Sequence, residues 1–296
     1  MAFKIITDSA SDIPQYIIDE FNLHVIPTPV VINEKDYFDG ETIFPKDFYS
    51  ILEDKTKDIK TYHINVEMFK RNFEPYAKNG VEVLYMCFST GIAGTFNAAN
   101  LAKEELLETY PDFKITIIDT KCASLGFGIP VYKLLLMQRN GADKETIIKA
   151  AKHFCKHMEH IVTVETLDYL YKGGRLSKLS YVVGGGLNIK PMIEIDENGS
   201  LVAYAKVRGR KKAINKIIEE VGKRGKDLEN QIIGVVHGDR EEEAKELANI
   251  LKEKYNVKDV VISYVGCAIG AHTGPGVIAA VCENESDGEF KEYLYK

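Results

Sequence analysis

Val81-Glu82-Val83-Leu84-Tyr85-Met86-Cys87-Phe88-Ser89-Thr90-Gly91-Ile92-Ala93-Gly94-Thr95 decides how the first half of the chain is read. Residues 81–88 are rich in β-branched, aromatic and apolar side chains and read as a strand. Gly91 and Gly94 punctuate the run, and a helical pattern follows over 95–109. Strand, glycine turn and helix make half of a βαβ crossover. The turn carries its own chemistry. Glycines let a ligand approach the backbone, free N–H groups at a helix start attract anions, and the hydroxyls of Ser89 and Thr90 can donate to a carboxylate or phosphate. An ordinary capped βα turn explains the same residues.

The same alternation extends outward. Residues 4–7 read as a strand, 12–21 as a helix and 25–32 as a strand. Helical patterns over 45–52 and 66–79 precede the quoted run. A strand over 114–119 and helices over 126–139 and 143–157 follow it. Strands separated by helices predict a parallel sheet, with ligands beyond the carboxyl ends of the strands. Asp8, Ser9, Ser89, Asp119 and Thr120 fall at such ends. The second half differs. Strand patterns at 160–165, 190–196, 201–207, 232–236, 260–265 and 277–282 are interleaved with helices at 211–224 and 240–255. A short helical turn stands at 167–170. Glu197-Asn198-Gly199-Ser200 has hairpin chemistry. The expected fold class is α/β: an N-terminal domain with a parallel sheet over residues 1–158, then an α+β domain over 159–296.

Composition narrows the function. The chain has 296 residues, 45% hydrophobic and 28% charged, with a net charge of −6. An acidic protein is a poor match for a phosphate backbone, so nucleic acid is not an expected partner. Five cysteines (Cys87, Cys122, Cys155, Cys267, Cys282) lie scattered, without CxxC spacing. This argues against a disulfide framework and for a reducing cytoplasm. Neither a leader nor an apolar run of about 18 residues is visible.

Several motifs have two readings. Gly126-Phe127-Gly128 lacks the third glycine of a dinucleotide fingerprint. His153, His157 and His160 stand near Cys155, but no partner completes a zinc pattern, and no metal is expected. Leu170-Tyr171-Lys172-Gly173-Gly174-Arg175-Leu176-Ser177 is either a turn with a surface arginine or an anion clamp. Lys206, Arg208, Arg210, Lys211 and Lys212 form the densest basic run and would suit an acidic partner. Gly266-Cys267-Ala268-Ile269-Gly270-Ala271-His272-Thr273-Gly274-Pro275-Gly276 reads as a loop whose His272 is poised to meet an anion.

Taken in order, Thr7 to Asp12, Ser89 to Thr95, Asp119-Thr120 with Ala123 to Gly126, Tyr169 to Leu176, Asn188 to Pro191, Lys206 to Arg208 and His272 to Gly276 form one set. With it the chain resembles the DegV family of bacterial fatty-acid-binding proteins over essentially its whole length. The resemblance implies an N-terminal α/β/α domain and a two-layer C-terminal α+β domain, with a long-chain, palmitate-like fatty acid between them and no other cofactor. Thr61 and Ser89 are the implied carboxyl ligands, helped by Thr90 and the N–H near Gly91. Arg175 and His272 stand at the head-group gate. Presentation to a separate fatty-acid kinase is implied, with Arg208 and Arg210 in the docking region, as is a role in lipid transport or fatty-acid metabolism. The protein is expected to be a monomeric cytoplasmic carrier, with at most transient membrane contact, and not an enzyme. Tyr62-His63-Ile64 replace the usual Ser-Gln-Pro after Thr61, and Thr90 and Ala93 replace common serines; His63 is a substitute donor. A sixteen-carbon tail buries about fourteen methylenes, roughly 11 kcal/mol at about 0.8 each, so the head sets orientation more than affinity. Two alternatives stand beside this reading: a hydrolase or phosphotransferase subunit using Ser89 and His272, and a lipid-responsive regulator.

Overall fold

Four parallel strands form the first sheet: β1 (Phe3–Asp8), β2 (His24–Ile26), β6 (Glu82–Cys87) and β7 (Ile115–Asp119), in the order β2-β1-β6-β7. The structure, a computed structural model, describes residues 3–176 and 188–294. Alternation along each strand splits the core in two. Ile6, Val83 and Tyr85 face α3 (Val66–Lys78) and α4 (Thr95–Thr109). Ile5, Leu84 and Met86 face α1 (Gln15–Phe21) and α5 (Leu125–Arg139), and α6 (Lys144–Lys156) packs on α5. These layers are the expected α/β/α arrangement. Local signals start two of the helices: Asn65 accepts the N–H of Met68, and Asp143 that of Thr146.

Two readings of the N-terminal stretch change. Helix α1 begins at Gln15, not at residue 12, because Asp12 adopts a left-handed φ of 51° and Pro14 caps the helix. The strand expected over 25–32 breaks in two. Pro27 and Pro29 remove ladder donors, and the chain leaves the parallel sheet after β2. It enters a small antiparallel sheet of β3 (Pro29–Ile32), β4 (Lys35–Phe38) and β5 (Ile59–Thr61), packed with α2 (Pro45–Leu52). Thr61 ends β5.

Strands from residue 158 onward build the second sheet: β8 (Met158–Thr163), β9 (Ile189–Ile195), β10 (Leu201–Arg208), β11 (Ile232–His237), β12 (Asp259–Tyr264) and β13 (Ile278–Glu283). Their order is β10-β9-β8-β13-β11-β12, antiparallel except for the parallel β11–β12 pair. One face, with Ile161, Val235 and Ala280, packs on α8 (Arg210–Arg224) and α9 (Glu241–Tyr255). The opposite face, with Val162, Val236 and Ala279, belongs to the core of the first half. Helix α5 lies between the sheets, touching β1 as well as β8, β11 and β13. Its position explains its sequence: Phe127, Leu135, Leu136 and Met137 are buried around its whole circumference.

The expected 266–276 loop is instead a short helix, α10 (Cys267–Thr273). Its N–H groups find carboxylates from a distant part of the chain. Asp12 Oδ1 accepts from Gly266 (2.9 Å) and Asp39 Oδ2 from Ala268 (3.0 Å). Gly266 must be bare, since a Cβ there would lie 2.7 Å from Asp12. Gly274, at φ 74°, ends the helix. Two other short helices, α7 (Asp168–Lys172) and α11 (Lys291–Leu294), complete the described chain.

Candidate functional site

A cavity of about 1000 Å³, its open mouth included, lies between the strand ends of the first sheet and the inner face of the second. Strand alternation makes its floor apolar: Val162, Val236, Ala279 and Val281 all point into it. Phe88 and Ile92 close it from the first half. A lining of this kind suits an apolar ligand.

Polar groups gather where β5, α7 and α10 meet. Thr61 Oγ1 and His272 Nε2 share a hydrogen bond of 2.6 Å. The other ring nitrogen of His272 is buried and has no partner among the described residues. Gly173 makes room for it, because a Cβ there would stand 2.1 Å from Nδ1. Arg175 lines the same cavity, with Nη1 donating to the Gly173 carbonyl at 2.6 Å. Burial, helped by the Arg175 charge, pushes the His272 imidazole down to about 4, so it is neutral at pH 7. Burial also lowers the Arg175 guanidinium, which stays protonated. A carboxylate placed here would meet a hydroxyl, an imidazole and a guanidinium.

Sequence reasoning thus finds Thr61, Arg175 and His272, and the structure brings them together. It does not bring Ser89, Thr90 and Gly91 to the cavity wall. Ser89 Oγ donates to the carbonyl of Gly199 (2.7 Å) and accepts from Gly91 N–H (3.1 Å). Thr90 turns the other way: its hydroxyl donates to Asp119 (2.7 Å) and accepts from Lys121 (2.8 Å). Both hydroxyls are spent on protein partners far away in sequence, which no local motif reveals. Ala93 does line the cavity. His63 lines it too, its ring against Gly94, where a Cβ would be 3.3 Å from Cε1.

Thr95, Asp8 and His160 also line the cavity and are not among the implied ligand residues, although Asp8 and Thr95 fall in the quoted motifs. Asp8 is pushed up to about 6 by burial, against hydrogen bonds from Tyr85 Oη (2.7 Å), Phe88 N–H and Ala10 N–H. His160 leaves the suspected histidine cluster. Its Nε2 accepts from Ala123 N–H at 3.3 Å, and a Cβ on Gly126 would overlap it. His153 and His157 instead bond Ser286 O (3.0 Å) and Asn284 Oδ1 (3.1 Å). Strand position 160, two residues before the inward-facing Val162, was the available signal.

Arg210, implied as a docking residue, is bonded within the chain. It is half-buried, with Nε 3.1 Å from both carboxylate oxygens of Glu243 and Nη1 donating to Gly276 O at 2.6 Å. Arg208 is exposed, as are Lys206, Lys211 and Lys212. Gly126 and Gly128 lie in the buried first turns of α5. Ser177 of the Gly173–Arg175 motif lies outside the described residues. Among the described residues, no group of three His, Cys, Asp or Glu is placed to hold a metal, and no helix is long and apolar enough to cross a membrane.

Residues 2–285 match a family model described as "Uncharacterised protein, DegV family". A DegV domain-containing protein of Clostridium perfringens is 37% identical over 94% of this chain and 96% of its own. A protein of Thermotoga maritima named "Fatty acid-binding protein" is 35% identical, covering 94% and 96%. The crystal structure of DegV, a fatty acid binding protein from Bacillus subtilis, superposes with a TM-score of 0.85 at 29% identity, over 96% of this chain and 99% of that one. Over nearly its full length, then, the chain belongs to the DegV family.

Proposed function

We propose that the chain binds one long-chain fatty acid. The carboxylate sits at Thr61, His272 and Arg175, and the tail lies along Val162, Val236, Ala279 and Val281. One observation carries this reading: an apolar cavity with a hydroxyl–imidazole pair and a guanidinium gathered at one place in its wall. Relatives of the same fold are named as fatty-acid-binding proteins. His63 and Thr95 replace the hydroxyl lost at Ala93 as donors near the head. Buried methylenes supply most of the affinity, at about 0.8 kcal/mol each.

On this reading the chain divides at residue 158, the first half bringing Thr61 and the second Arg175 and His272. It is a monomeric cytoplasmic carrier, not an enzyme. It presents the carboxyl group to a separate fatty-acid kinase, which docks at Arg208 and its lysine neighbours. Arg175 gains importance once phosphate adds negative charge. Native mass spectrometry of freshly purified protein tests the core claim: a copurified acid of about fourteen to eighteen carbons is expected. Delipidated protein that takes up no such acid would refute it. Substituting Arg208→Ala should weaken kinase-coupled turnover while leaving lipid content unchanged.

A further inference from the structure

The β9–β10 hairpin reaches from the second half of the chain onto the 89–91 turn of the first. Its tip is rigid by itself. Asp196 Oδ1 accepts from Asn198 and Ser200 N–H, and the Asp196 carbonyl accepts from Gly199 N–H at 2.9 Å. The seat and the tip meet glycine against glycine. A Cβ on Gly91 would lie 2.4 Å from the Gly199 carbonyl carbon, and one on Gly199 would lie 2.1 Å from Ser89 Oγ. Two hydrogen bonds cross the contact: Ser89 Oγ to Gly199 O (2.7 Å) and Ser200 Oγ to Gly91 O (3.4 Å).

Backbone pairing thins out along the rest of the hairpin end. Strand β9 pairs with β8 only at Ile193 and Met192, so Glu194 and Ile195 share backbone pairing with β10 alone, while the Arg224 guanidinium of α8 joins Glu194 (2.6 Å) to Glu159 of β8 (3.2 Å). The register of β10 shifts between Ala203 and Ala205, just behind this end. Yet the cross-strand pair Ile195 and Leu201 forms part of the cavity wall. Ile195 and His160 also line a polar groove on the outside, with Lys121, Lys152 and Glu197. The hairpin end is therefore a thin partition between the acyl cavity and solvent.

We infer that Ser89 is a positioning residue for ligand exchange: by holding the Gly199 carbonyl it latches the β9–β10 hairpin over the cavity, and the fatty acid enters and leaves when Ile195 lifts. The inference rests on the fatty-acid reading above. It also gives the first hydroxyl of the 89–95 turn a task other than touching the ligand. Loss of one latch hydrogen bond raises the open fraction. Opening precedes both uptake and release, so both rates rise while their ratio, the affinity, is kept.

Stopped-flow fluorescence with cis-parinaric acid, an eighteen-carbon polyene fatty acid, tests this on the delipidated full chain. Wild type that binds no parinarate would sink the fatty-acid reading itself. Given wild-type binding, S89A should raise association and dissociation rates together, roughly five-fold, with the dissociation constant within about two-fold. G199A, whose methyl would push the tip from Ser89, should raise both further, and S200A less. An S89A protein with unchanged rates overturns the latch. So does one in which only dissociation quickens and affinity falls about ten-fold, since Ser89 would then hold the ligand directly.

Discussion

Two glycine-rich segments face the same cavity and are used in opposite ways. At the start of the 89–95 turn two hydroxyls point back into the protein, Ser89 to Gly199 and Thr90 to Asp119. In the 266–276 segment the backbone is bound up in a helix capped by Asp12 and Asp39, and the side chain of His272 is delivered to the cavity. The first segment is a seat and the second a support for a ligand-facing group. The difference lies in who owns the polar atoms. A hydroxyl already hydrogen-bonded to a buried carbonyl is not free to grip a ligand without leaving that carbonyl unsatisfied. The Nδ1 of His272, in contrast, has no partner among the described residues and can take a new one without displacing any of them.

Blocking the cavity is the harshest way to break this comparison, since both segments matter to a ligand only through it. Ala279→Phe fills the floor of the cavity and displaces the equivalent of three or four methylenes. At about 0.8 kcal/mol each this predicts a loss of about 100-fold in affinity for a sixteen-carbon acid, read by fluorescence titration, with a fold still intact by circular dichroism. Unaltered affinity would place the ligand elsewhere. Thr61→Val comes next. It keeps shape but removes the hydroxyl bonded to His272. A hydrogen bond to a charged group is worth about 1.5–3 kcal/mol, so affinity should fall about ten-fold or more. His272→Ala should cost a similar amount.

The two segments also differ in what the sequence exposes. Strand–turn–helix order placed the 89–95 turn correctly at the end of β6, because hydrophobic alternation and glycine are local signals. The layers on both faces of the first sheet followed from the same signals. What stayed hidden depends on contacts between residues far apart in sequence. Gly199 is 110 positions from Ser89, and Asp12 is 254 from Gly266. No periodicity links them, so the helix at 267–273 and the occupied hydroxyl of Ser89 could not be read. Thr61 came from the family resemblance alone, whereas Arg175 and His272 also stood out locally, as an arginine after two glycines and a histidine in a glycine-rich segment. His160 was visible only as one histidine among three, and strand alternation separates it from the others. Arg210 illustrates the same limit, since Glu243 lies 33 positions downstream.

Acidity distinguishes the segments more gently. The free His272 imidazole is held down near 4, mainly by burial and then by Arg175. A bound carboxylate favours its protonated form and raises that value, so the complex binds more protons than the free protein. Affinity should therefore strengthen as pH falls from 8 to about 5.5, by roughly three-fold, and the slope should vanish in His272→Asn. Titrations at several pH values check it. A slope retained in the asparagine variant would assign the proton to another group, with Asp8, raised to about 6, first in line.

Thr90→Val should have the smallest effect on ligand and a visible one on the fold. Burial pushes the Asp119 carboxyl up, but hydrogen bonds from Thr90 and Lys121 outweigh it and hold the group below its usual value. A depressed carboxylate adds stability above the unfolded value of 3.8, and that stability is lost as pH falls through the folded value. Removing the Thr90 hydroxyl takes away one of these donors while the Lys121 pair at 2.9 Å remains. The expected cost is about 1 kcal/mol at pH 7, seen as a lower melting temperature by calorimetry and shrinking toward pH 3. The dissociation constant should stay within about two-fold, because Thr90 faces Asp119 and not the cavity. A ten-fold loss of affinity at unchanged stability would reverse the comparison. The 89–95 turn would then be the grip, and the hydrogen bond to Asp119 a resting state that the ligand displaces.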